Sequence, residues 1–323
     1  MKSILLRSAV FLLVILSGGI ILKYFVFSTE VKKEDNHYQN YVNQHYKVFA
    51  LELPDSLFFL DEEVPLTMID IAERLDREML INVYWQSQTL LFFKKANKFF
   101  PAIETILKEY GVPDDFKYLA LTESGLNNVV SPAGAAGYWQ FLKNTAKEYG
   151  LEVNDEVDER YHLEKSTAAF CKYMLDAYSK FGSWTLAAAS YNMGIGGLNN
   201  QITRQQVNNY YDLLLNEETG RYVFRIMAVK QIMTNPAYYG FYFRPQDLYP
   251  PDEFTTVEVN YEIENIADFA FEQGVNYKIL KVMNPWLRQN YLHNTSETIY
   301  QIKIPTKGYY SLTQVDSSLL LLE

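Results

Sequence analysis

The chain has 323 residues, 48% of them hydrophobic, enough for one large or two modest cores and too many for a disordered chain. A formal net charge of −10 with scattered Lys and Arg argues against a nucleic-acid partner, because phosphate binding needs a clustered positive field. The single Cys171 excludes an intrachain disulfide, and four histidines without a zinc-binding spacing and no phosphate-cradling glycine motif leave neither a metal nor a cofactor expected.

Residues 1–28 carry Lys2 and Arg7, an uncharged run from Ser8 to Leu22, then Lys23 and the apolar patch Tyr24 to Phe27. This pattern predicts a signal peptide or a membrane anchor over residues 4–27, and hence export to the periplasm or cell envelope. Residues 29–50 mix charge, Asn, Gln and Tyr without apolar periodicity and are expected to form a tether. Residues 51–242 read as a mainly helical domain. Ile69, Ile71, Ala72 and Leu75 mark one helix, Leu90 to Phe93 open another, and Pro101 starts a third that carries Ile103, Ile106 and Leu107 and ends at Gly111.

Pro113-Asp114-Asp115 then has the form of a helix start. Along that helix Phe116, Leu119, Ala120 and Glu123 fall at i, i+3, i+4 and i+7, which sets a carboxylate on an apolar face. A desolvated carboxyl has a raised pKa, and a raised pKa is what a general acid needs near neutral pH. A second reading is open at this point: Glu123 as a helix-end carboxylate bonded to backbone N–H groups of the next loop. That loop, Ser131 to Gly137, is small and Gly-rich, and Tyr138-Trp139-Gln140-Phe141 follow it. Trp139 is expected to fill the space beneath the loop.

A short helix is predicted from Lys143 to Tyr149. The acidic run Glu152, Asp155, Glu156, Asp158 and Glu159 reads as a solvated loop, with a second catalytic carboxylate as the minority reading. Helices follow from Lys165 to Phe181 and from Trp184 to Asn192, the second delivering Tyr191 and Asn192 to a Gly-rich turn at Met193 to Gly197. A last helix covers Thr219 to Met233. From Phe243 the texture changes, and residues 243–323 are expected to form a small α+β unit: a strand near Thr255 to Tyr261, helix between Ile266 and Met283 broken at Gly274, and a strand near Thr298 to Ile304.

Three motifs, Glu123-Ser124, Gly137-Tyr138-Trp139-Gln140 and Ser190-Tyr191-Asn192, together resemble the lysozyme-like lytic transglycosylases of the SLT superfamily, in particular the membrane-bound murein transglycosylase D type. The resemblance is closest from Leu119 to Gly197 and includes Val157-Asp158-Glu159-Arg160. It implies a lysozyme-like helical catalytic domain and cleavage of the β-1,4 bond between N-acetylmuramic acid and N-acetylglucosamine in peptidoglycan glycan strands, without water, leaving 1,6-anhydro ends. Glu123 carries over as the sole acid and base, Tyr191 as its hydrogen-bonding partner, and Ser124, Gln140 and Asn192 as sugar-binding residues. Ser190 and His162-Leu163 depart from the family pattern, the latter at the start of a predicted helix. Residues 255–304 are LysM-like in outline. Two alternatives stay open: a hydrolytic muramidase using Asp155 or Asp158, and a non-catalytic anchored peptidoglycan-binding protein.

Overall fold

The computed structural model describes residues 29–45 and 47–306, together with Leu13 and Ser17. The predicted targeting segment therefore lies almost wholly outside the described residues. Among these residues no helix is long and apolar enough to cross a membrane. The chain divides into two units, residues 1–51 and 52–323. In the first, helix α1 (Thr29–His45) occupies the stretch read as a tether. Its side chains from Asn36 to Gln44 are almost all exposed, and Gln39 donates to Asn43 one turn on at 3.0 Å. With few apolar side chains along it, the helix offers little apolar stripe to betray it in sequence.

The second unit opens on a two-stranded hairpin, β1 (Phe58–Phe59) and β2 (Glu62–Glu63), where the sequence predicted helix. Its turn residues Leu60 and Asp61 both adopt positive φ, 55° and 61°, a mirror-image turn normally marked by Asn or Gly. Helix α2 (Ile69–Tyr84) follows, then α3 (Gln86–Tyr110), which runs through Pro101 instead of starting there. The apolar residues before and after the proline, Phe92, Phe93, Ile103 and Leu107, share one buried face, and that burial outweighs the lost backbone bond. Gly111 ends α3 in the left-handed conformation, as expected.

A turn of 3-10 helix (Asp114–Phe116) leads into α4 (Lys117–Ser124), too short to be stable alone. Phe116, Leu119 and Ala120 are fully buried on the face predicted for Glu123. Helix α5 (Lys143–Glu148) and then α6 (Leu163–Phe181) follow. His162 fills the N-cap of α6, accepting from the Lys165 amide, so the unusual residue pair at this helix start supplies its own cap. Helix α7 (Trp184–Met193) is capped twice, by Ser183 and by Glu62 of the hairpin, whose Oε1 accepts from the Trp184 amide at 2.8 Å. The predicted glycine-rich turn contracts to Gly194, and Gly196 and Gly197 lie inside α8 (Ile195–Gln205). Helix α9 (Glu217–Thr234) is capped by Asn216, carries Glu217 and Glu218 in its first turn, and buries Tyr222, Val223, Phe224, Ile226 and Met227.

Strands β3 (Phe254–Val259) and β4 (Tyr300–Pro305) pair antiparallel, Val257 opposite Ile302, and helices α10 (Ile266–Glu272) and α11 (Tyr277–Met283) complete a strand, helix, helix, strand unit. Its core residues Val259, Ile266, Leu280 and Ile302 form one cluster with Ala136, Val157 and Tyr161 of the preceding region. Backbone bonds cross the same seam: the Asp158 amide donates to the Trp286 carbonyl at 2.9 Å and the Arg288 amide to Glu156 at 2.7 Å.

Candidate active site

Glu123 sits in the last turn of α4, half-buried, where Gly125 (φ 59°) terminates the helix. Removal from water pushes its pKa up to about 7, against the pull of a hydrogen bond from Tyr222 and the positive charge of Arg225, and with a further push from Glu218. Tyr222 of α9 donates its phenolic proton to Glu123 Oε1. Burial holds the phenols of Tyr222 and Tyr191 well above their usual pKa, so both are neutral donors.

This geometry corrects the expected role of Tyr191. Its hydroxyl donates to the Trp139 carbonyl at 2.7 Å, and the hydrogen-bond partner of Glu123 is Tyr222, which lies unsingled in the helix predicted from Thr219 to Met233. Tyr191 is nonetheless close enough for the Glu123 charge to help raise its pKa, and its ring is packed edge-on by Phe141, Phe170 and Tyr173. The α7 helix thus braces the loop behind the acid while α9 touches the acid itself.

Ser124 is buried, its hydroxyl 2.7 Å from the Tyr138 carbonyl and 3.2 Å from that of Ala120. It clips α4 to the Tyr138-Trp139-Gln140 segment. Gln140 takes a positive φ of 54°, and its amide nitrogen donates to the carbonyls of Gly137 (2.8 Å) and Val129 (3.0 Å). Asn192 is held by the first turn of α9: its oxygen accepts from Thr219 at 2.7 Å and its nitrogen donates to Glu218 at 3.2 Å. Gln140, Tyr191 and Asn192 line one cleft of about 400 Å³ with Glu148 and Tyr149. Glu123 does not line it; Tyr191 is the link between cleft and acid.

Trp139 is the predicted core residue, fully buried, stacked on Phe170 at 3.8 Å between centroids and donating to Thr167 at 2.9 Å. Gly137 is required by close approach: at φ 80°, a Cβ there would meet the Arg160 carbonyl oxygen at 1.8 Å. Arg160 in turn holds the loop, donating to the carbonyls of Gly134 (3.0 Å) and Phe141 (3.1 Å) while paired with Asp158 at 2.7 Å. The acidic run is therefore not uniformly solvated. Asp155 is exposed, but Asp158 and Glu159 are buried, Glu159 paired with Lys165. Among the described residues no three His, Cys, Asp or Glu side chains are grouped to hold a metal ion.

Two stretches of the chain are similar to known families. Residues 101–214 match the family Transglycosylase SLT domain, and residues 255–308 match the soluble lytic transglycosylase C-terminal LysM-like domain. The two matches follow one another along the chain, the SLT-like stretch first and the LysM-like stretch second. More particularly, 184 of its residues are 29% identical to Membrane-bound lytic murein transglycosylase D of Escherichia coli strain K12, over 55% of this chain and 40% of that protein, with the same figures for its counterpart in strain O6:H1. The chain thus spans well under half the length of the curated relatives it matches. A solved structure of an inactive mutant of lytic transglycosylase Slt from Pseudomonas aeruginosa aligns with a TM-score of 0.34 at 16% identity, covering 47% of this chain and 26% of that one. Tyr222 lies beyond the SLT match, on the next helix.

Proposed function

We propose that the protein is a peptidoglycan lytic transglycosylase that cleaves the bond between N-acetylmuramic acid and N-acetylglucosamine and leaves 1,6-anhydro ends. The observation that carries this reading is the half-buried Glu123, its pKa pushed up to about 7 and its carboxyl oriented by Tyr222. Held protonated near neutral pH, Glu123 gives its proton to the leaving glycosidic oxygen. The substrate's own acetamido group stabilises the positive charge at C1. The carboxylate then takes the proton of the muramyl C6 hydroxyl, which closes on C1. One group serves as acid and then base, so no second carboxylate is needed, unlike in most glycosidases.

Gln140 and Asn192 line the cleft for the sugar, while Tyr191 and Ser124 keep the loop beneath it in place. The hydrolytic alternative finds little support. Asp158 is committed to Arg160, and Asp155 lies exposed beside Gln289, which bonds its backbone carbonyl at 3.0 Å. We further propose, from the first 28 residues and the relatives' name, that the protein works in the cell envelope at a membrane, and that the LysM-like domain binds glycan. Muropeptides released from purified sacculi, analysed by mass spectrometry, test the activity. Anhydro ends from the wild type and none from Glu123→Gln support it; equal release by the two proteins refutes it.

A further inference from the structure

Helix α9 presents Glu218, Tyr222 and Arg225 at i, i+4 and i+7, so the three lie along one face. Tyr222 reaches Glu123, and its neighbours bring one negative and one positive charge to the same carboxyl. Facing the acid are thus Glu218, Tyr222 and Arg225 from α9 and Tyr191 from α7. Arg225 is the one cation in this set, and a guanidinium beside a desolvated carboxylate forms a strong, charge-assisted pair unless something else holds it.

A second carboxylate lies within ion-pair reach of it. Glu78 of α2 is 1% exposed and stands between two arginines one turn apart on α9. Arg221 Nε lies 2.6 Å from its Oε1, and Arg225 Nε lies 4.0 Å from its Oε2. Beside this cluster lie Glu217, exposed and 3.3 Å from Arg77 and 3.5 Å from Arg221, and the phenol of Tyr210, which feels the charges of Arg74 and Glu78. A buried carboxylate is costly unless paired, so its placement is not incidental packing. Nor is it part of the SLT match, which starts at residue 101.

We propose that Glu78 is a positioning residue for the reaction: by pairing with Arg221 and Arg225 across the α2–α9 contact it draws the Arg225 guanidinium away from Glu123 and weakens an ion pair that would favour the ionised acid. Without the Glu78 charge, Arg225 is left with Glu123 as a carboxylate on which its charge already acts. The effect passes through Arg225; Glu78 touches no substrate. The inference rests on the proposed role of Glu123 as proton donor.

Two readouts on the full chain test it: the pH profile of kcat/KM on sacculi, and the titration of the Glu123 carboxyl by infrared difference spectroscopy against the matching Glu123→Gln protein. In Glu78→Gln the Glu123 titration and the alkaline limb of activity move down by about one pH unit, roughly a tenfold loss of activity on that limb. Adding Arg225→Met removes the shift. Where Glu78→Gln alone does not fold, Glu78→Gln with Arg221→Met deletes the orphaned arginine as well and carries the same prediction. An unchanged Glu123 titration in either folded variant overturns the inference, as does a shift that persists when Arg225→Met is added. The infrared titration reads the inference without turnover, so a wild type that releases no anhydro products would refute the proposed function separately.

Discussion

The phenol of Tyr222 donates to the carboxylate of Glu123 across 99 positions of sequence, so that the helix after the SLT match orients the acid within it. Because this bond favours the ionised form, its removal raises the Glu123 pKa further. Tyr222→Phe is expected to lower kcat by roughly 10–100-fold through lost orientation, and to move the alkaline limb of the pH profile upward. Tyr191→Phe, which frees the Trp139 carbonyl instead, should leave the position of that limb unchanged. Steady-state profiles of both variants decide between the two tyrosines as partner of the acid.

Burial of Glu123 also bears on stability. Its folded pKa, about 7, lies above the unfolded value, so the fold favours the protonated form. The contribution is fully present below about pH 4.5 and is lost as pH rises through about 7. Glu123→Gln is therefore expected to be more stable than wild type at about pH 8, by about 1–3 kcal/mol, and equal to it at about pH 4. Thermal unfolding at the two pH values checks this, and a less stable variant at the higher pH would contradict it.

Gly137 and Gly134 share a positive φ, 80° and 81°, but differ in what a side chain would meet. Open space surrounds Gly134, whereas a Cβ on Gly137 runs into the Arg160 carbonyl. Gly134→Ala should cost about 1 kcal/mol from backbone strain alone. Gly137→Ala should cost several times that and displace Gln140 from the cleft. Denaturant unfolding of the pair measures the difference, and equal costs would mean the loop yields easily.

Much of this was legible in the sequence, for physical reasons that also explain the exceptions. The apolar spacing of Phe116, Leu119 and Ala120 placed Glu123 on a buried face because a 3.6-residue period survives translation into packing. The small residues from Ser131 to Gly137 pointed to close approach, and Gly137 shows it against Arg160. Tyr222 was hidden because its helix is buried nearly all round, so no polar tip stood out among its apolar neighbours. The hairpin at Leu60-Asp61 was missed because neither residue signals a positive φ. Asp158 read as part of a solvated acidic run because sequence shows charge but not its partner, Arg160, two positions away and buried.

The LysM-like stretch shares its core with Ala136, in the loop before Gln140, and with Val157 and Tyr161. Removal of residues 244–323 would expose those side chains, and the Asp158 amide would lose its partner at Trp286. The truncated protein is expected to lose about 3 kcal/mol or more and most of its anhydro-product release. Calorimetry compares the two forms; an equally stable and active truncation would show that the domain is an independent appendage.

The central claim is that one glutamate does the work of two carboxylates by using the substrate's own hydroxyl in place of water. Digestion of sacculi in isotopically labelled water tests it most directly, with the reducing-side muropeptides weighed by mass spectrometry. The account predicts anhydro ends that carry no label from the wild type, and no such products from Glu123→Gln. Reducing ends labelled at C1 would contradict it and assign hydrolysis instead.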